Sequence, residues 1–136
     1  MTPLISIIIP TYNRAKYVTR AIAAIQGQAF TAWELIVVDD GSSDGTAEVL
    51  PVIAAGDGRI QYIRQANAGV SAARNTGIAA MHYDSRYIMF HDDDDWLTED
   101  ALERLNALAA AFPDAPAVAG LSRHCDDNGC STDTLD

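Results

Sequence analysis

Four consecutive aspartates, Asp92 to Asp95, follow the apolar run Tyr87 to Phe90 with only His91 between them. We call them the aspartate run. Adjacent carboxylates repel one another, so a fold that places them where a buried strand ends must hold positive charge beside them. Mg2+ and Mn2+ bind carboxylate oxygens and leave positions open for phosphate oxygens and water. We therefore expect a Mg2+ or Mn2+ site here, with a solvated acidic turn as the alternative.

A second polar cluster, Asp39 to Gly45, follows the apolar run Leu35 to Val38. From Asp40 onward it imitates an EF-hand loop, but Pro51 stands at the twelfth position, where that loop needs a bidentate Glu. One interpretation is a Gly- and Ser-rich turn that only caps the next helix. The other is that a carboxylate of the pair Asp39-Asp40 accepts a hydrogen bond from a ring N–H of a nucleobase.

A third cluster, Pro10 to Arg14, follows the apolar run Leu4 to Ile9. It could be a loop that starts a helix, with Asn13 as the cap. Tyr12 also offers an aromatic face on which a base could stack, and such stacking contributes about 1–3 kcal/mol in single-stranded nucleic-acid binders. The two interpretations are compatible.

Arg74 lies where a helix is expected to start, with Asn67 and Asn75 nearby. Its guanidinium could reach a phosphate, or it could form an internal salt bridge with an aspartate of the other clusters. We assign His91 no more than a supporting position beside the aspartate run.

The elements that must position these clusters alternate along the chain. Five apolar, β-branched runs predict strands, namely Leu4 to Ile9, Leu35 to Val38, Ile60 to Ile63, Tyr87 to Phe90 and Ala117 to Leu121. Four segments between them predict helices, namely Lys16 to Gln26, Thr46 to Ala55, Val70 to Met81 and a last one with Thr98 as N-cap, an apolar stripe of Leu102, Leu105, Leu108 and Phe112, and Pro113 at its end.

Strands that alternate with helices predict right-handed crossovers and a three-layer, Rossmann-like α/β sandwich with a mainly parallel sheet. Ligands of such sheets bind beyond the carboxyl ends of the strands, so the clusters should converge on one crevice. The fingerprints G-x-G-x-x-G and G-x-x-x-x-G-K-[ST] are absent from the sequence, which argues against dinucleotide-binding and P-loop sites.

The 136 residues predict one domain, and their formal net charge of -10 argues against nucleic acid or an anionic membrane as a partner. No apolar stretch approaches the roughly 20 residues of a membrane span, and the start lacks a secretory signal, so we expect a soluble, cytoplasmic chain. Cys125 and Cys130, even with His124, are too few for a disulfide framework or a Cys-rich zinc site. The polar stretch Asp126 to Asp136 is expected to fray or to mark a cut from something longer.

Four segments, in this order and spacing, resemble the nucleotide-binding half of family 2 glycosyltransferases, which are inverting enzymes with a GT-A fold. The resemblance runs from about Pro3 to about Gly129, and the segments that carry it are Ser6 to Asn13, Val37 to Thr46, Asn67 to Gly77 and Asp92 to Leu97.

The resemblance implies a role for each cluster. Tyr12 would stack on the base of a nucleoside diphosphate sugar, usually a UDP-sugar, while Pro10 and Thr11 shape the pocket. Asp40 would accept a hydrogen bond from the base, and Arg74 would lie near the diphosphate.

The aspartate run would contain the DxD motif of the family. Asp94 is the expected direct ligand of Mn2+ or Mg2+, with Asp92 beside it, and Asp92 or Asp93 would engage the ribose or a metal-bound water. The extra aspartate leaves the register of the motif ambiguous by one residue.

In the family that this chain resembles, the general base is expected to be an Asp or Glu in the second half of the fold, well beyond the DxD motif. We therefore expect one GT-A-type domain, residues 1–136, truncated before the acceptor-binding half, which an oligomer or a partner could supply. Two alternatives are a non-catalytic nucleotide-sugar-binding module and an acidic receiver-like domain phosphorylated on aspartate. The receiver needs a lysine at the end of a late strand, but the sole lysine is Lys16.

Overall fold

The computed structural model describes residues 2–126 and 128–130. In this part of the chain the strands are β1 Ile5–Thr11, β2 Trp33–Asp39, β3 Ile60–Arg64, β4 Tyr87–Phe90, β5 Cys125–Asp126 and β6 Gly129–Cys130. The helices are α1 Ala15–Gln26, α2 Thr46–Gly56, α3 Val70–Ala80 and α4 Ala101–Ala111. The first four strands form a parallel sheet in the order β3-β2-β1-β4, whereas β5 and β6 form an antiparallel hairpin. The predicted α/β fold is confirmed.

Side chains of β1 point alternately to two hydrophobic cores, because successive residues of a strand face opposite sides of a sheet. Ile5, Ile7 and Ile9 pack with buried residues of α1, α2 and α4 on one face. Ile8 packs with Ile36, Val38 and Ala73 of β2 and α3 on the other face. Helices therefore cover both faces of the central strands, which explains why these strands are apolar throughout.

Gly77 allows α3 to lie close against β1. A Cβ atom at this position would overlap the Cγ2 and crowd the Cγ1 atom of Ile8. Arg74 lies one turn earlier in the same helix, so this close packing helps to set how far its side chain reaches across the sheet edge.

The predicted strand Ala117 to Leu121 is wrong. This segment is irregular, and Leu121 is 87% exposed. An apolar run becomes a strand when a neighbouring strand and a covering layer accept it. In the described part of the chain, β4 pairs only with β1, so its other edge has no strand beside it.

The prediction of Thr98 as the N-cap of the last helix is also wrong. The helix begins at Ala101, and Thr98 instead directs its hydroxyl to Asp100 Oδ1 at 3.1 Å. Gln28, in the loop after α1, provides the hydrogen bond at the helix start instead, because its Oε1 accepts from the Leu102 amide at 3.0 Å. A side chain distant in sequence therefore replaces the local cap.

The apolar stripe of α4 is narrower than predicted. Leu102 and Ala109 are buried and Leu105 is partly buried, but Leu108 and Phe112 are exposed. The helix ends at Ala111, in agreement with the stop expected from Pro113.

Cys125 and Cys130 form a disulfide that joins β5 to β6. This bond leaves neither sulfur as a thiolate. Most of the polar stretch expected to fray, residues 127 and 131–136, lies outside the described residues. None of the helices in the described ranges is both long and apolar enough to span a bilayer.

We predict that Gly77→Ala lowers the free energy of unfolding by about 1–2 kcal/mol, because overpacking against Ile8 outweighs the better helix propensity of Ala. Gly56→Ala, at the end of α2, is the matched control, since a Cβ there meets nothing within 4 Å. Urea denaturation of both variants checks this prediction. A Gly77→Ala protein as stable as Gly56→Ala would show that α3 does not depend on this close approach.

Candidate functional site

The carboxyl ends of β1, β2 and β4 lie at one edge of the sheet, because the three strands are parallel and adjacent. The loops that follow them enclose a cleft of about 420 Å³. Its lining comprises Pro10, Thr11, Tyr12, Arg14, Asp40, Val70, Ala73, Asp92, Asp93 and Asp94. Every site residue predicted from the sequence except Arg74 lines this cleft, and Arg74 contacts one of the lining aspartates.

The aspartate run divides into residues that face solvent and one that faces the protein. Asp92, Asp94 and Asp95 are exposed, and each offers a carboxylate oxygen within 4.8 Å of those of the others. Such a set of hard oxygen donors fits Mg2+ or Mn2+. Asp93 is buried and is not part of this set.

Asp93 ties the aspartate run to the first strand and the first helix. Its Oδ2 accepts from the Thr11 hydroxyl at 2.8 Å, and its Oδ1 lies 3.2 Å from Arg14 Nη1. Burial raises the pKa of Asp93, while Thr11 and Arg14 act in the opposite direction. The buried carboxylate is therefore anchored by a neutral donor and a cation.

Two arginines pair with two of the three exposed carboxylates of the run. Arg14 Nη1 lies 2.8 Å from Asp94 Oδ2, and Arg74 Nη2 lies 3.1 Å from Asp92 Oδ1. The pKa of Arg14 is raised, mainly by the charge of Asp93 and then by its hydrogen bond to Asp94. Of the two interpretations of Arg74, the structure shows the internal salt bridge.

Asp40 is the member of the pair Asp39-Asp40 that reaches the cleft. Its Oδ1 accepts from Gln65 Nε2 at 2.7 Å and from the Ala68 amide at 2.9 Å, and its Oδ2 accepts from the Gly69 amide at 2.8 Å. Burial acts to raise the pKa of Asp40, but these hydrogen bonds outweigh it and hold the pKa below its usual value. Asp40 is therefore a charged acceptor at neutral pH that also shapes the start of α3.

Asp39, in contrast, serves the fold. Its carboxylate is fully buried, with Oδ1 accepting from the Ser42 amide at 2.8 Å and Oδ2 from the Tyr62 hydroxyl at 2.9 Å. Burial, followed by Asp39, raises the pKa of Tyr62 to about 12. Tyr62 therefore remains a donor to Asp39 across the physiological pH range.

Asn13 fastens the loop after β1 to the loop after β2. Its backbone has φ of 52°, in the left-handed region that Asn tolerates better than most residues. Its Oδ1 accepts from the Ser43 and Asp44 amides at 2.7 and 3.2 Å. The interpretation of Asn13 as the cap of α1 is wrong, because the carboxylate that reaches the Ala15 amide, at 3.3 Å, belongs to Asp44.

Tyr12 stands beside this turn with 48% of its surface exposed at the mouth of the cleft. An aromatic ring in this position is free to stack on a planar ligand. The neighbouring Asn13 turn and the buried Thr11 hold the backbone on either side of it.

Sequence reasoning missed Arg14 and Asp95 as individual site residues. Arg14 lies in the loop after β1, directly before α1, but its aspartate partners lie about 80 positions away, and only the convergence of strand ends could have pointed to the pairing. The imidazole of His91 is buried, which lowers its pKa, and its Nε2 has no hydrogen-bond partner among the described residues.

The sequence is similar to known proteins over most of its length. Residues 6–132 match the family model described as Glycosyl transferase family 2. The glycosyltransferase GlyA of Streptococcus pneumoniae serotype 4 is 42% identical over 101 residues, which are 74% of this chain and 14% of GlyA. The chain spans between 14% and 40% of the length of eight curated relatives that it matches.

Solved structures share the fold at low sequence identity. The crystal structure of S. aureus TarS 1–349 in complex with UDP-GlcNAc has a TM-score of 0.73 and 21% identity, over 95% of this chain and 42% of that one. The mannosyltransferase PcManGT of Pyrobaculum calidifontis, in complex with GDP-Man and Mn2+, has a TM-score of 0.67 and 22% identity, over 87% of this chain and 34% of that one. These likenesses confirm the GT-A-type fold.

We predict that Thr11→Val lowers the free energy of unfolding by about 1–3 kcal/mol, because the buried carboxylate of Asp93 loses a hydrogen-bond donor. Thr19→Val is the control, since the bonds that the Thr19 hydroxyl makes within residues 2–126 and 128–130 go to carbonyls of its own helix. Chemical denaturation measures both. Equal losses in the two variants would contradict the role of Thr11 as an anchor of the aspartate run.

Proposed function

Because this chain belongs to glycosyl transferase family 2, we propose that it is the donor-binding portion of a metal-dependent, inverting glycosyltransferase. Its donor is a nucleoside diphosphate sugar, with a UDP-sugar as the first choice, and its acceptor is a hydroxyl group. The observation that carries this proposal is the convergence of Tyr12, Asp40 and the aspartate run on one cleft. The nucleotide sugars bound in TarS and PcManGT support the class of donor.

The base of the nucleotide would be recognised by Tyr12 and Asp40. Tyr12 supplies a stacking face that any base can use. Asp40 is charged, and its Oδ2 accepts a single hydrogen bond from the described residues, so it has room for a further donor. Uracil and guanine carry a ring N–H that can donate to this acceptor, whereas adenine and cytosine offer only exocyclic amino groups as donors.

The diphosphate would lie against the exposed carboxylates of Asp92 and Asp94, which fit a hard divalent ion. Such an ion, when bound, neutralises the charge that grows on the departing nucleoside diphosphate. Asp93 remains anchored to Thr11 and Arg14, so it holds the aspartate run in place. Arg74 pairs with Asp92, beside the place proposed for the diphosphate, so its guanidinium could exchange that carboxylate for a phosphate oxygen.

The acceptor side of the reaction is part of the proposal for the whole protein. Inversion requires that the acceptor hydroxyl, deprotonated by a general base, attacks the face of the sugar opposite the diphosphate. We assign no general base among the described residues. It stays a prediction that an oligomer or a partner contributes the acceptor-binding half. A cytoplasmic location also stays a prediction.

We expect this chain to bind UDP with Mn2+ or Mg2+ and to lose that binding in EDTA, because the cleft presents carboxylates where the diphosphate should lie. Asp94→Ala should reduce UDP affinity to the level seen in EDTA. Asp114→Ala, which removes an exposed charge distant in sequence from the aspartate run, should leave affinity unchanged. Isothermal titration calorimetry measures all three.

Two results of this titration would speak against the proposal. UDP binding that is equally strong in EDTA would contradict the role of the metal ion. An absence of binding at millimolar UDP would contradict the nucleotide site. Turnover of a labelled UDP-sugar by the same protein separates an enzyme from the alternative, a non-catalytic nucleotide-sugar-binding module.

Tyr12→Ala should weaken UDP binding by about 1–3 kcal/mol, or about 5- to 150-fold in Kd, because the base loses its stacking platform. Tyr17→Ala is a matched control, since Tyr17 lies nearby on α1 and is 50% exposed. Inorganic pyrophosphate, which has no base, should bind the Tyr12→Ala and unchanged proteins equally. A similar loss of affinity for UDP and for pyrophosphate would show that Tyr12 maintains the structure of the site and does not stack on the base.

A further inference from the structure

Arg14 occupies a position that a bound metal ion would contest. One nitrogen of its guanidinium, Nη1, lies 3.2 Å from Asp93 Oδ1 and 2.8 Å from Asp94 Oδ2. Asp94 is also one of the three carboxylates whose oxygens approach one another closely enough for a shared cation. The same carboxylate therefore serves either the arginine or the metal.

The two partners of Arg14 differ in how firmly they are held. Asp93 is buried and receives a second hydrogen bond from Thr11, whereas the Asp94 side chain is half exposed. An exposed ion pair is weak because water and salt screen it. Since one nitrogen contacts both carboxylates, a small shift of the guanidinium would release Asp94 and retain Asp93.

We propose that Arg14 is a resident counter-ion of the aspartate run that competes with the metal for Asp94 and thereby couples metal binding to nucleotide binding. This inference rests on the proposed function. Without nucleotide, the ion must displace a guanidinium and bind beside its positive charge. With nucleotide, the released guanidinium faces a cleft that holds a diphosphate, whose charge compensates for the lost carboxylate.

Arg14 is the residue to test, because the other exposed carboxylates of the aspartate run have different ion-pair partners or none among the described residues. Asp92 is paired with Arg74, for which the family resemblance already implies a place near the diphosphate. Asp95 has no ion-pair partner in residues 2–126 or 128–130. Arg14 alone, among the cations described there, contacts both the buried anchor and a metal-facing carboxylate.

The test uses Mn2+ alone, with the free ion followed by electron paramagnetic resonance. Arg14→Gln should bind Mn2+ about two- to fivefold more tightly than the unchanged protein, as expected from the loss of one exposed competing pair. Lys16→Gln removes the same charge from an exposed position two residues later and is the matched control. It should leave Mn2+ affinity within about twofold of the unchanged protein.

The second measurement repeats the Mn2+ titration with saturating UDP. UDP should raise Mn2+ affinity less in Arg14→Gln than in the unchanged protein or in Lys16→Gln, because the variant has no guanidinium to release. A purely structural role of Arg14 would not tighten Mn2+ binding. Equal or weaker Mn2+ affinity in Arg14→Gln overturns the proposal, as does an unchanged effect of UDP.

Arg14→Lys keeps the proposal testable if Arg14→Gln does not fold. A lysine can still pair with Asp93, but its shorter reach weakens the hold on Asp94, so Mn2+ affinity should exceed that of the unchanged protein. Affinity equal to the unchanged protein would then overturn the proposal.

Failure of the proposed function gives a different pattern. If the unchanged protein binds no Mn2+ even with UDP, the metal-dependent function fails. If Arg14→Gln then binds Mn2+, the competition between Arg14 and the metal for Asp94 is still supported. If neither protein binds Mn2+, the proposed competition is overturned together with the metal-dependent function.

Discussion

The buried carboxylate of Asp93 is the interaction on which the site depends. Asp93 lies in the loop after β4, accepts a hydrogen bond from the Thr11 hydroxyl of β1 and pairs with Arg14 at the start of α1. All of Asp92, Asp93 and Asp94 line the cleft, but Asp93 is buried whereas Asp92 and Asp94 are exposed. Four adjacent negative charges thus become an ordered surface, with one of them anchoring the others.

The rest of the cleft follows from the parallel sheet. Adjacent parallel strands bring their carboxyl ends to one edge, so loops far apart in sequence become neighbours. Asn13 joins two of these loops, and Asp40 joins the second to the start of α3. The residues to which we assign contacts with the base and the phosphates are therefore held in loops that these hydrogen bonds join. In the proposed function, a metal ion on the exposed carboxylates would let this strongly acidic chain bind an anionic nucleotide.

Much of the fold could be predicted because apolar runs and helical periodicity are local signals. β1 to β4 and the convergence of their loops follow from them. What failed depends on distant partners: Ala117 to Leu121 pairs with no strand in the described part of the chain, and Gln28 replaces Thr98 at the start of α4. In the site, residue type indicated the aspartate run, but only the structure shows that Asp93 turns inward and that Arg14 meets it.

The most direct test of the proposed donor site is paramagnetic broadening of backbone amide signals by substoichiometric Mn2+ in the presence of UDP, observed by NMR. Because broadening falls steeply with distance from the ion, we expect it to centre on Asp92, Asp94 and Asp95. Broadening spread over exposed carboxylates elsewhere, such as Asp114, or no effect of UDP on its pattern, would contradict a metal-bridged nucleotide in this cleft.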